Sequence, residues 1–140
     1  MSDTIAIQSL SLSAARRVLD AALAHATANG WNMCVTVADP SGEAITSARM
    51  DKAPRLSAEI ARNKAFTVAS FGGMPTHLWW PAIQNEPSLV HGITHTPRLI
   101  VFGGGVPVLV AGVLAGAVGV SGGSAEQDRE CAEAGAAAVA

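Results

Sequence analysis

Residues 102–140 read FGGGVPVLVAGVLAGAVGVSGGSAEQDRECAEAGAAAVA, and the fold turns on what the two glycine clusters in this stretch do. Gly103-Gly104-Gly105 and Gly122-Gly123 bracket two apolar runs, Val106–Val110 and Val113–Val120, joined by Ala111-Gly112. Apolar runs with a two-residue turn between them predict an antiparallel hairpin. Ser124 followed three residues later by Gln127 forms a capping box, so an alanine-rich helix is expected from there to the C-terminus. A phosphate cradle fails on chemistry. A P-loop needs a lysine directly after its glycines, and a dinucleotide fingerprint needs GxGxxG inside a βαβ unit. The glycines then serve as turns and points of close backbone approach, or offer free N–H groups to a carboxylate. Both roles can hold at once.

Upstream, LSLSAARRVLDAALAHATANG (10–30) has apolar residues at helical spacing, a serine to cap its start and Asn29-Gly30 to end it. WNMCVTVAD and AITSARMD flank the turn PSGE, which predicts a second antiparallel hairpin over residues 31–50. APRLSAEIARNKAFTVASFGG (53–73) is a helix with Pro54 in its first turn and glycines at its end. Residues 74–97 are the least regular, with a short helix expected near Thr76–Gln84 and loop elsewhere. Leu99–Phe102 is a short apolar run and is assigned a strand. The order is helix, two strands, helix, irregular segment, three strands, helix. Segregation of helices from antiparallel strands predicts an α+β domain with a sheet of about five strands, and the length predicts one domain over residues 1–140.

The chain is 49% hydrophobic and only 14% charged, against a usual charged share of about a quarter. So little charge is a sign of subunit interfaces, and a homo-oligomer is expected. The net charge of −2 and the absence of basic runs predict no nucleic-acid partner. The N-terminus carries no export signal and no apolar stretch is long enough to cross a bilayer, so a soluble cytoplasmic protein without membrane association is expected. The two cysteines, Cys34 and Cys131, have neither disulfide-framework nor zinc spacing.

Three stretches together carry a family resemblance: FGGGVPVLVAGVLAGAVGVSGG, MDKAPRLSAEIARNKAFTVASFG and VTVADPSGEAITSARMD. They resemble the GlcG/HbpS-like proteins, the haem-degrading domain family, over roughly residues 10–140. The resemblance implies a profilin-like α-β-α layered fold assembled into dimers or larger oligomers. It also implies a pocket for a small molecule or tetrapyrrole, with haem as a possible cofactor. Members include haem-binding sensors, a domain of corrinoid adenosyltransferases and small proteins encoded among catabolic enzymes. No haem-ligand motif carries over onto this sequence.

Candidate chemistry clusters in the irregular segment. His77, His91 and His95 are either surface histidines or groups that move a proton or ligate a ligand; no cysteine or carboxylate pair completes a metal site, and none is expected. Trp79 and Trp80 cannot share one face of a helix, so one packs inside while the other caps a pocket or interface. Lys64 falls near an apolar stripe of the central helix. It snorkels to the surface, or it faces a pocket as an anion partner or base, the option the resemblance favours. Arg49 and Asp51 end the second strand, where they pair or bind a carboxylate. Gly103, Gly104 and Gly105 offer backbone N–H groups. Glu126 and Asp128 complement the dipole of the last helix.

Three functions fit. The first is a binding protein for haem or a related flat anionic ligand, with Lys64 and Arg49 at its carboxylates and one histidine on iron. The second is a cofactor-independent catabolic lyase, isomerase or hydrolase acting on an aromatic or unsaturated carboxylic acid. There Arg49 or Lys64 clamps the carboxylate and a histidine moves the proton. The third is an assembly role without a ligand.

Overall fold

The computed structural model describes residues 1–140. Helix α1 (Leu12–Ala28) starts at Ser11, whose side chain accepts the Ala14 N–H. Strands β1 (Cys34–Ala38) and β2 (Ala44–Arg49) follow, then helix α2 (Leu56–Ser70). A 3-10 turn (Thr76–Leu78) runs into two short helices, α3 (Trp79–Ile83) and α4 (Pro87–Ile93). Strands β3 (Gly105–Val110) and β4 (Val113–Ser121) and helix α5 (Ala125–Ala136) complete the chain. The Ala111-Gly112 turn has φ of 50° and 77°, the two left-handed residues that a tight hairpin matches to strand twist. The capping box of Ser124 and Gln127 is formed.

The result is an α+β fold with one antiparallel sheet in the order β2-β1-β4-β3. The sheet has four strands, not five. Leu99–Phe102 runs without strand partners because its backbone is held by α2: Thr67 Oγ1 donates to Arg98 O at 3.1 Å and accepts the Ile100 N–H at 3.0 Å. The segment expected as loop after Gln84 instead contains α4, which starts on Pro87 and buries no residue.

Strand alternation sends successive side chains to opposite faces. Val35, Val37, Val118 and Val120 pack with Val18, Ala22, Cys131 and Ala132 of α1 and α5. Ala117 packs with Ala65 and Val68 of α2. Helices therefore cover both faces of the sheet. On the α2 side the spacing is so close that a Cβ on Gly119 would collide with the Ala61 carbonyl and stand 2.7 Å from Ala65 N. Both neighbours are backbone and neither can rotate away. Gly119→Ala is expected to cost about 2–4 kcal/mol through overpacking, read as a lower urea midpoint with an unchanged slope.

Candidate functional site

The strongest electrostatic feature lies at the end of the sheet where α2, β4 and α5 meet. Lys64 is fully buried on α2. Its ammonium donates to Val120 O at 2.8 Å and to Asp128 Oδ2 at 2.9 Å, and it sits 5.1 Å from the centroid of the Phe102 ring. Asp128, in the first turn of α5, accepts the Gly123 N–H through Oδ1 at 2.9 Å. Burial pushes the lysine pKa down and the aspartate pKa up, while each partner pulls the other back toward its charged form. Lys64 therefore does not snorkel: its ammonium is sealed from solvent. Asp128 does more than complement the helix dipole: its side chain is 4% exposed and holds the ammonium. The signal for this was present in the sequence. Asp128, Cys131, Ala132 and Gly135 form one buried stripe at helical spacing, so the aspartate points inward.

Beside this pair, a cleft of about 300 Å3 opens between the 3-10 turn, α3, the Val101–Gly103 segment and the start of α5. His77, Trp80, Phe102, Gly103 and Arg129 line it. Trp80 and Phe102 are half exposed, at 51% and 47%, so two aromatic surfaces face open space. Trp79 turns inward, packing against Phe71 at 4.8 Å between centroids. His77 Nδ1 is buried and has no hydrogen-bond partner. Burial lowers the His77 pKa from its ordinary 6.5, Arg129 lowers it further and Glu133 opposes them. The imidazole is thus neutral at neutral pH. Charging it costs the fold, so its contribution to stability is complete above 6.5 and falls as the pH drops through that value.

The other expected site residues lie apart. His91 sits on α4 and His95 in the turn after it, both exposed and neither lining the cleft. Arg49 and Asp51 are exposed at the β2 edge, whereas the glycine loop leads into β3 at the opposite edge. Three strand spacings separate the two edges, roughly 14 Å. Of the three loop glycines only Gly103 faces the cleft. The Gly105 N–H is donated to Thr76 Oγ1 at 2.9 Å, and Gly104 packs on the ion pair, where a Cβ would stand 2.6 Å from Val120 O and 2.9 Å from Asp128 Cβ. Sequence reasoning missed Phe102 and Arg129, since neither belongs to a motif. No group of three metal-ligating side chains forms, and no helix is long and apolar enough to cross a membrane.

A larger groove, about 440 Å3, borders the other side of α5. Its lining is mostly polar and carries three carboxylates, Glu126, Glu130 and Glu133, against the single cation Arg129, whose Nε donates to Glu133 at 2.7 Å. Trp31 is its one apolar residue, so it lacks the paired aromatic surfaces of the smaller cleft.

Fold and cleft together define a small α+β domain with an aromatic-walled recess at one end of its sheet. The chain belongs to the family described as haem degrading protein HbpS-like, which matches residues 10–137. It is 39% identical over 129 residues to an uncharacterized 15.0 kDa protein of the dhaT-dhaS intergenic region in Citrobacter freundii, covering 91% of this chain and 89% of that one. Among solved structures it resembles the Klebsiella pneumoniae protein ORFY, with a TM-score of 0.91 and 35% identity over 99% of this chain and 95% of that one. It also resembles a PduOC:heme complex, with a TM-score of 0.82 and 29% identity over 94% and 95% of the two chains.

The ion pair is testable apart from any ligand. Removing one member of a buried pair strands the other charge and costs about 3–5 kcal/mol, whereas an apolar pair of similar volume is often neutral. Lys64→Met alone is expected to fall in that range by urea denaturation. Adding Asp128→Leu is expected to recover most of the loss.

Proposed function

We propose that this protein binds a flat, anionic ligand of the tetrapyrrole class, haem foremost, at the His77–Trp80–Phe102–Arg129 cleft. The observation that carries the reading is the pairing of two half-exposed aromatic rings with a cation in one recess. Aromatic faces left in water favour a flat partner, and a guanidinium favours a carboxylate. Membership of the HbpS-like family and the likeness to a haem-bearing PduOC structure support the same class. The residues fit such a group at its edge. About 300 Å3 is the lower end of ligand pockets, enough to seat one side of a tetrapyrrole with its propionate. Haem when bound supplies redox and ligand-exchange chemistry at its iron. The chain supplies stacking from Trp80 and Phe102 and charge from Arg129.

Assembly into a homo-oligomer is part of the proposal. Leu56, Phe71, Leu78, Leu109 and Val113 are large, apolar and exposed on a chain with little charge to cover its surface. Lys64 is left out of the proposed cleft, because its ammonium is buried and bonded to Asp128.

Haemin titration followed by visible spectroscopy tests the reading. Saturation near one haem per chain is expected. Loss of one stacking face is expected to weaken binding by about tenfold in Trp80→Ala, a change of roughly 1.4 kcal/mol. His91→Ala and His95→Ala are expected to titrate like the wild type. A titration without saturation, or one that only His91→Ala or His95→Ala abolishes, overturns the assignment of the cleft.

A further inference from the structure

We propose that the cleft takes its ligand by a carboxylate, with His77 donating from Nε2 and Arg129 from its guanidinium, and does not hold a metal on His77. The proposal rests on the ligand-binding reading of the cleft and specifies which part of the ligand is recognised.

The argument starts from the orphaned ring nitrogen. A neutral imidazole carries one proton. On Nδ1 that proton would be a buried donor without an acceptor, since Nδ1 is sealed and unpartnered; buried N–H groups without partners are rare. Nε2 is not sealed in this way, and His77 lines the cleft, so a proton there is free to meet a ligand. A metal on Nε2 would force the proton back to Nδ1, where the acceptor that normally orients a metal-bound histidine is missing. The favoured tautomer is therefore a hydrogen-bond donor toward the cleft.

The surrounding groups set the sign of the charge this donor meets. Arg129 lines the same cleft and lies close enough to depress the His77 pKa. Its Nε is bonded to Glu133, and its terminal nitrogens make no hydrogen bond within the chain. Ala125, the first residue of α5, lies on the same wall, so the positive end of that helix dipole adds to the field. Glu126, which also lines the cleft, and Glu133 oppose it, and both are exposed. The 3-10 turn, α3 and the Val101–Gly103 segment bring no charged side chain. Gly103 leaves no room for a side chain between His77 Cβ and the Ala125 carbonyl, 3.3 and 3.2 Å from where its Cβ would stand.

The carboxylate is met by the neutral ring, since a second proton would sit on Nδ1, which is sealed and has no acceptor. Binding therefore takes up no proton at His77, and affinity is expected to stay level between about pH 8 and about pH 6.

The test compares metal-free protoporphyrin IX, its dimethyl ester and haemin on the intact protein, alongside His77→Gln and Arg129→Met, with circular dichroism to confirm folding. The free acid and haemin are expected to bind within about threefold of each other, and the diester and Arg129→Met to weaken binding about tenfold or more. His77→Gln keeps a donor and cannot titrate, and is expected to bind within about threefold of the wild type. A diester that binds as tightly as the acid overturns the proposal, as does haemin binding that requires the iron. If no porphyrin binds, the His77 ring is followed by NMR as 2-naphthoate is added near neutral pH. A saturable shift of the Nε2 proton then keeps the carboxylate site while the tetrapyrrole reading falls; no shift overturns the proposal itself.

Discussion

The Lys64–Asp128 pair is the constraint on which this end of the molecule depends. Its ammonium is the meeting point of α2, the last residues of β4 and the first turn of α5. The carboxylate then reaches back to the Gly123 amide, so the turn from strand to helix is fastened at both ends. A buried pair of this kind gains little net stability, because desolvation of both ions offsets their attraction. What it adds is orientation. The ammonium has two acceptors at hydrogen-bond distance and a third side facing Phe102, so α5 has one angle of departure from the sheet. Arg129 and Ala125 reach the cleft because α5 starts where the pair places it.

The glycine clusters follow from the same constraint. Gly104 lies against the ammonium and the carboxylate, and its O accepts the Val120 N–H at 2.8 Å. Any side chain there would have to displace an ion from its partner. At φ of 127° the backbone is also one that other residues rarely adopt. The loop glycines thus let the chain pass over a buried charge, and the Gly105 amide is committed to Thr76. The recess forms beside the loop, where Phe102 turns outward.

Much of the architecture was legible in local patterns. Alternating valines, the two-residue turn, the serine caps and the capping box are signals within a few residues of each other, and each formed as read. The failures share a cause in contacts far apart along the chain. Leu99–Phe102 has the apolar character of a strand, but Thr67 had already taken its backbone groups. The inward-facing stripe on α5 betrays Asp128, yet only the fold brings it to Lys64. The cleft was half visible. His77 and Trp80 stood out as rare residue types in an irregular segment. Phe102 and Arg129 are unremarkable in sequence and meet His77 only through the placement of α5. Arg49 and Asp51 looked equally suitable for a carboxylate, and the strand order puts them at the far edge of the sheet.

This separation of duties bears on how one fold serves different ligands. The pair, the loop glycines and the valine layers sit on regular elements and are buried, so changing them disturbs packing and desolvated charge together. Trp80 and Phe102 stand half in water, and the Arg129 side chain is 45% exposed. Replacement of Trp80 or Arg129 removes little buried surface and leaves the two hydrogen bonds of the ammonium in place. The 3-10 turn and short helices that carry His77 and Trp80 are tied to the body chiefly by Thr76, Trp79 and Ile83. A chain built this way can exchange the chemistry of its recess while the framework that aims α5 stays the same.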